Sequence, residues 1–149
     1  MDRLEFQVKL QAPVEAAWHA WTDSETVAKW FPPEAYIEPR LRGAYELYFD
    51  SDDHDHMSTK GCKITKIQPT THLSFQWRGP DQYLHVMNTP EPATHIHVEF
   101  QEEGAETTLS VIHEGWGTGQ AWDEAREWHR KAWEGVLKDL QKYFEKKYR

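Results

Sequence analysis

Cysteine is almost absent. Cys62 is the single one among 149 residues, so no disulfide can form within the chain, and a reducing compartment is the expected setting. Long apolar runs are also missing, and none approaches the roughly 18 residues that mark a membrane span. The N-terminal MDRLEFQVKL has no apolar stretch behind its charges, so no secretory leader is read. A cytoplasmic location follows as the expectation. Positive charge is in deficit, with 17 Lys and Arg against 25 Asp and Glu and a net charge of −8. Such a surface repels phosphate backbones and disfavours a nucleic-acid partner. Nothing specifies an oligomeric state. Aromatic residues, by contrast, are plentiful: eight Trp, six Tyr and six Phe. That excludes a disordered chain. A chain of this length reads as one domain, 1–149, able to bury roughly 70% of its unfolded surface.

Periodicity gives the elements. Residues 4–10 alternate, with Leu4, Phe6, Val8 and Leu10 on one face of a half-buried strand. Pro13 opens a short helix, and a second runs from an Asp23 or Ser24 cap to Trp30, where Pro32-Pro33 stops it. Further strands are read at 44–50, 60–67, 72–78, 94–100 and 107–113, with Gly61 as a bulge and the last two as a hairpin. Residues 80–93 read as a polar, proline-broken connection. From Gln120 to Lys147 the period changes. Trp122, Ala125, His129, Ala132, Trp133, Val136, Leu140 and Tyr143 recur at steps of three and four, giving one amphipathic helix about 42 Å long. Thr118 is its expected cap. The class is therefore α+β. A curved antiparallel sheet of six to seven strands, with two short helices, wraps a long C-terminal helix. A strongly curved sheet on so long a helix is expected to leave a cavity between them.

The segments VKLQAPVEAAWHAWTDSETVAKWF (8–31), RGAYELYF (42–49), TKGCKITKIQPTTHLSFQW (59–77), TTLSVIHEGW (107–116) and WHRKAWEGVLKDLQKYF (128–144) resemble, in order and spacing, START/SRPBCC (birch-pollen-allergen-like) domains. Within these they are most similar to homologues of the activator of the heat-shock-protein-90 ATPase. The resemblance implies the helix-grip fold and, in many members, a hydrophobic ligand cavity. It implies no single activity, because the superfamily hosts carriers, cyclases, hydrolases and co-chaperones. The eukaryotic activator carries a further N-terminal domain for which this chain has no residues, so a chaperone partner is disfavoured.

Candidate ligand-binding residues lie on the faces expected to point inward. Tyr45, Leu47 and Phe49 come from one strand, and Phe75 and Trp77 from another. Val98 and Phe100 share a face with Val111 and His113. Trp116, Trp122 and His129 complete the set from the turn and the long helix, and Trp133 adds a further inward ring. Such a lining suits a hydrophobic or aromatic small molecule held by one or two polar anchors. His113, with an ordinary pKa near 6.5, is either an anchor, a general acid or base, or a structural residue. His129, on the inward stripe of the helix, has the same three alternatives.

Asp50-Ser51-Asp52-Asp53-His54-Asp55-His56 carries metal-ligand chemistry but lacks a ligand spacing, and reads as a solvated loop. His95 and His97 alternate with the inward row and are expected to face outward; a surface cluster with His85 is the alternative to plain exposed strand residues. Gly115, Gly117 and Gly119 miss both nucleotide-loop patterns and read as a turn that lets the helix start move. Cys62 reads as a small buried apolar residue. No cofactor motif and no metal site is read.

Three functions compete. The leading expectation is a module binding a hydrophobic small molecule in the sheet–helix cavity. The second is an enzyme in the same cavity, performing ring closure, dehydration or hydrolysis, with His113 as acid or base and Trp116 and Trp122 shaping the site. The third is a co-chaperone-like interaction domain.

Overall fold

The computed structural model describes residues 3–88 and 94–147. In chain order the elements are β1 (Leu4–Leu10), α1 (Val14–Thr22), α2 (Ser24–Val27), β2 (Glu34–Ile37), β3 (Tyr45–Tyr48), β4 (Ile64–Gln68) and β5 (His72–Trp77). A 3-10 turn at Asp81–Tyr83 then runs into α3 (Leu84–Met87), followed by β6 (Thr94–Glu103), β7 (Glu106–Glu114) and α4 (Gln120–Lys147).

Five strands form an antiparallel sheet in the order β1-β7-β6-β5-β4, and β2 and β3 form a hairpin. The hairpin continues the sheet through an Ala44–Lys63 bridge, flanked by Arg42 N–H to Ile64 C=O at 2.9 Å and Tyr45 N–H to Cys62 C=O at 2.9 Å. Among the described residues seven strands thus curve around α4, one more than the six that the alternation reads.

Register places the inward rows. Val98 lies opposite Val111, and Ile96 opposite His113. Phe75 faces Ile96 from the neighbouring strand. All five are fully buried. From α4, Ala125, His129, Trp133, Leu137, Leu140 and Phe144 are buried, one contiguous stripe at steps of four and three. Sequence periodicity placed the stripe slightly to one side. Trp122, Ala132, Val136 and Tyr143 flank it and are only half buried.

The elements depart from expectation where side-chain alternation is a weak signal. Strand β2 is four residues after Pro32-Pro33, with Tyr36 about half exposed, and its pattern is too short to read. α2 ends at Val27 instead of Trp30. The chain continues as turns, with Lys29 N–H to Thr26 C=O at 3.0 Å and Phe31 N–H to Val27 C=O at 3.0 Å. Asp23 does cap it, accepting from Thr26 N at 3.0 Å. The 60–67 strand begins only at Ile64, because Cys62 N–H closes a turn on Thr59 C=O at 3.0 Å. The bulge falls between Ile64 and Lys66, not at Gly61. Part of the 80–93 connection is helical, over 81–87; residues 89–93 lie outside the described ones. Thr118 is not the cap of α4: the first carbonyl bonded within the helix is that of Gly119, accepting from Asp123 N at 2.9 Å.

Candidate functional site

The space between the middle of the sheet and α4 is filled. Tyr45 stacks on Phe75 with ring centroids 3.8 Å apart, and its hydroxyl donates to the Trp21 carbonyl at 2.7 Å. Burial pushes that phenol far above its ordinary range. Phe100 meets Trp18 edge-on at 5.2 Å. Leu47, Val98 and Val111 are buried in the same core, and Trp116 is buried against His113 and His129. Tyr45, Leu47, Phe75, Val98, Phe100, Val111, His113 and Trp116 therefore form core, and none of them lines the pocket described next. Trp122 is half buried: it meets the Trp116 edge at 6.3 Å, and its ring lies over Gly117, which has no Cβ to obstruct it.

The cavity lies to one side of this core. It has a volume of about 310 Å³ and sits between α4, the end of β5 and the 49–58 segment. Phe31, Trp77 and Trp133 form its inner wall, Ala132 and Val136 its helical wall, and Met57 and Pro80 its rim. Phe49 and Trp128 also line it and are 38% and 37% exposed, which sets the mouth. Of the candidates read from sequence, Phe49, Trp77, His129 and Trp133 reach it. Phe49 was expected fully inside; it stands at the opening because β3 ends at Tyr48. Met57, Arg78, Trp128 and Ala132 were missed as lining residues. Trp128 and Ala132 flank the apolar stripe, and Met57 lies in a segment with no period at all.

Two buried histidines sit at the inner end, and their hydrogen bonds fix their tautomers. His129 donates from Nδ1 to the Ala125 carbonyl at 2.7 Å and accepts on Nε2 from the Trp77 indole N–H at 3.1 Å. His113 accepts on Nδ1 from the Trp133 indole N–H at 3.1 Å and donates from Nε2 to Thr94 Oγ1 at 2.9 Å. Each ring nitrogen has a partner, and each lone pair faces an indole donor. Protonation would place two N–H groups head to head. Desolvation adds to this, pulling His129 down to about 4 and His113 well below its ordinary value, with His129 itself a lesser cause. Both rings are neutral near pH 7, and neither offers a free nitrogen for acid–base work.

The Asp/His segment acts as a strap along the pocket. Asp81 accepts from His56 Nδ1 at 2.8 Å and from the Met57 backbone N–H at 3.0 Å. His54 stacks on Tyr48 at 3.9 Å and pairs with Glu34 at 2.9 Å. His56 is raised by the hydrogen bond to Asp81 and by the charges of Asp53 and Asp81. Among the described residues no group of three His, Cys, Asp or Glu is placed to hold a metal ion. Cys62 is buried and its thiol is pushed up to about 12, chiefly by desolvation.

The outer face of the sheet carries a Ser–His–Glu arrangement. Ser74 Oγ lies 2.6 Å from His97 Nδ1, and His97 Nε2 lies 3.0 Å from Glu114. Its bond order matches a nucleophile, base and acid. Two features argue against hydrolysis. Ser74 is 1% exposed, and its strand is paired on both sides, to β4 and β6, so its amides are occupied by the ladder. An acyl-transfer site needs free donors aimed at the developing oxyanion.

A curved antiparallel sheet gripping a long C-terminal helix defines the helix-grip class. The family model described as activator of Hsp90 ATPase homolog 1-like protein matches residues 11–145, and the chain belongs to that family. No curated protein matches it. Among solved structures it is similar to a Mesorhizobium loti protein, at 15% identity over 97% of this chain and 98% of that one, TM-score 0.74. The Aha1 dimer from Colwellia psychrerythraea is similar at 16% identity, over 97% and 96% of the two chains, TM-score 0.73. An HSP90 activator from Plasmodium falciparum is similar at 17% identity, over 93% and 92%, TM-score 0.71. At these identities the likeness concerns the fold. No described helix is long and apolar enough to cross a membrane.

Proposed function

We propose that the protein binds a hydrophobic or aromatic small molecule in the pocket between α4, the end of β5 and the 49–58 segment. The observation that carries this reading is an apolar cavity of about 310 Å³ that opens between Phe49 and Trp128. Its size lies at the lower end of the roughly 300–1,000 Å³ typical of ligand sites, which suits one fused-ring system or a medium chain and not a two-chain lipid. Flat rings find matching surfaces, since Phe31 stacks on Trp77 at 6.3 Å and Trp133 lies 5.5 Å from Phe31. The enzymatic alternative has less support, because both histidines near the pocket have their nitrogens engaged.

A thermal-shift screen of fused-ring aromatics and medium-chain alcohols tests the proposal. A binder at about 100 times its dissociation constant stabilises the fold by about 2.7 kcal/mol, which for a domain of this size raises the midpoint by roughly 5–10 °C. Ala132→Trp places a ring in the cavity and should abolish the shift. The reading fails when no compound stabilises the wild type more than Ala132→Trp.

A further inference from the structure

We infer that the buried part of the guest is uncharged hydrocarbon, aromatic or alicyclic, with no hydroxyl, amine or carboxylate beyond the end that reaches the mouth. The inference rests on the pocket being a binding site, and it names the class of guest. One or two polar anchors are expected from the sequence, but the histidine that reaches the cavity cannot serve as one. His129 donates from Nδ1 to the Ala125 carbonyl at 2.7 Å, and its Nε2 accepts from the Trp77 indole N–H at 3.1 Å. That contact also occupies the Trp77 donor. The Trp133 N–H is turned to His113 Nδ1 at 3.1 Å. Both large rings of the inner wall therefore present carbon to a guest.

The strap side is closed in the same way. Ser58 Oγ donates to the His54 carbonyl at 2.8 Å and accepts from Lys60 N at 3.3 Å. Phe49 N–H donates to the Met57 carbonyl at 3.0 Å, and Met57 N–H donates to Asp81 at 3.0 Å. Arg78 borders the cavity, but the groups that feel its charge include Asp55, Lys60 and Asp81, which lie outside the lining. A polar group carried into such a site gives up its water and finds no partner in exchange, a penalty that falls on the guest alone. At the mouth the penalty vanishes, because Phe49 and Trp128 stand partly in water. A guest with one polar end therefore enters ring first and leaves that end outside.

The test adds hydroxyls at opposite ends of one ring system: naphthalene, 2-naphthol and naphthalene-2,6-diol, each held in a calorimeter cell and titrated with the full chain. 2-Naphthol can keep its hydroxyl at the mouth and should bind within about threefold of naphthalene. The diol has to bury one hydroxyl against carbon and should bind at least about tenfold more weakly than 2-naphthol. Trp77→Phe keeps a flat ring on the wall and frees His129 Nε2 to accept from the buried hydroxyl. It should narrow the gap between 2-naphthol and the diol by at least about threefold. A diol that binds the wild type less than about tenfold more weakly than 2-naphthol, or a gap unmoved by Trp77→Phe, overturns the anchor-free site and leaves the pocket reading intact. Where Trp77→Phe does not fold, the wild-type series alone decides. Failure of all three probes to bind overturns both.

Discussion

Replacing Trp133 by alanine is expected to cost about 3–5 kcal/mol, the range for truncating a buried Trp, which is much of the roughly 5–15 kcal/mol total stability of a domain. Trp133 is 2% exposed and touches the pocket and the core at once. Its ring lies 5.5 Å from Phe31, 5.7 Å from Trp77 and 6.4 Å from Trp21. Its indole N–H supplies the partner of His113 Nδ1. Removing the ring enlarges a cavity that the surroundings cannot close, and it leaves a buried acceptor unpaired, which adds about 1–3 kcal/mol. Trp133→Phe keeps most of the packing and loses only the donor, so it should cost about 1–3 kcal/mol. Urea unfolding at pH 7.5 separates the two. A loss below about 1.5 kcal/mol for the alanine variant would mean that the ring is not wedged between helix and sheet.

The second large effect is acid lability. His129 is held near 4 in the folded state, whereas an unfolded histidine titrates near 6.5. As pH falls through about 6.5, the unfolded chain takes up a proton that the folded chain refuses, so stability present above that pH is lost on the way down to about 4. A gap of about 2.5 units corresponds to roughly 3 kcal/mol. His113 is shifted in the same direction and deepens the loss. His56 is shifted the other way, so its small contribution is present at low pH and fades as pH rises through its raised value. Carboxylates such as Asp23 and Asp81, held low in the folded state, act only below this window. His129→Gln should be less stable than wild type at pH 7.5 and should show a flatter loss between pH 6.5 and 4, by roughly 3 kcal/mol. Parallel pH–stability curves would show that His129 takes its proton without strain.

The fold was largely legible because strand alternation and helical period are local. Leu109, Val111 and His113 read as one inward row, and they are one. The site was legible only in part, because its position depends on packing. The aromatic residues do face inward, but Tyr45 and Phe75 stack face to face and consume the space where a central cavity was expected. The void moved to the side, where the short side chain of Ala132 on α4 meets a segment with no repeating pattern. No single-sequence signal brings Met57 against α4. That placement comes from the tether at Asp81, which lies 24 residues away in the chain. The histidines illustrate the same limit: a lone inward His reads equally as catalyst or scaffold, and only the opposing indole donors decide.

Eight tryptophans turn the pocket into its own reporter. The most direct measurement is a 1H–15N spectrum of the indole N–H groups during titration with 1-naphthylmethanol, each peak assigned by single Trp→Phe changes. Trp77, Trp128 and Trp133 line the pocket, so their signals should move with a common dissociation constant, while Trp30, whose N–H is bound to the Ala20 carbonyl at 2.8 Å, should stay nearly still. Uniform small shifts across all eight signals, or none at saturating probe, would contradict a defined cavity beside α4.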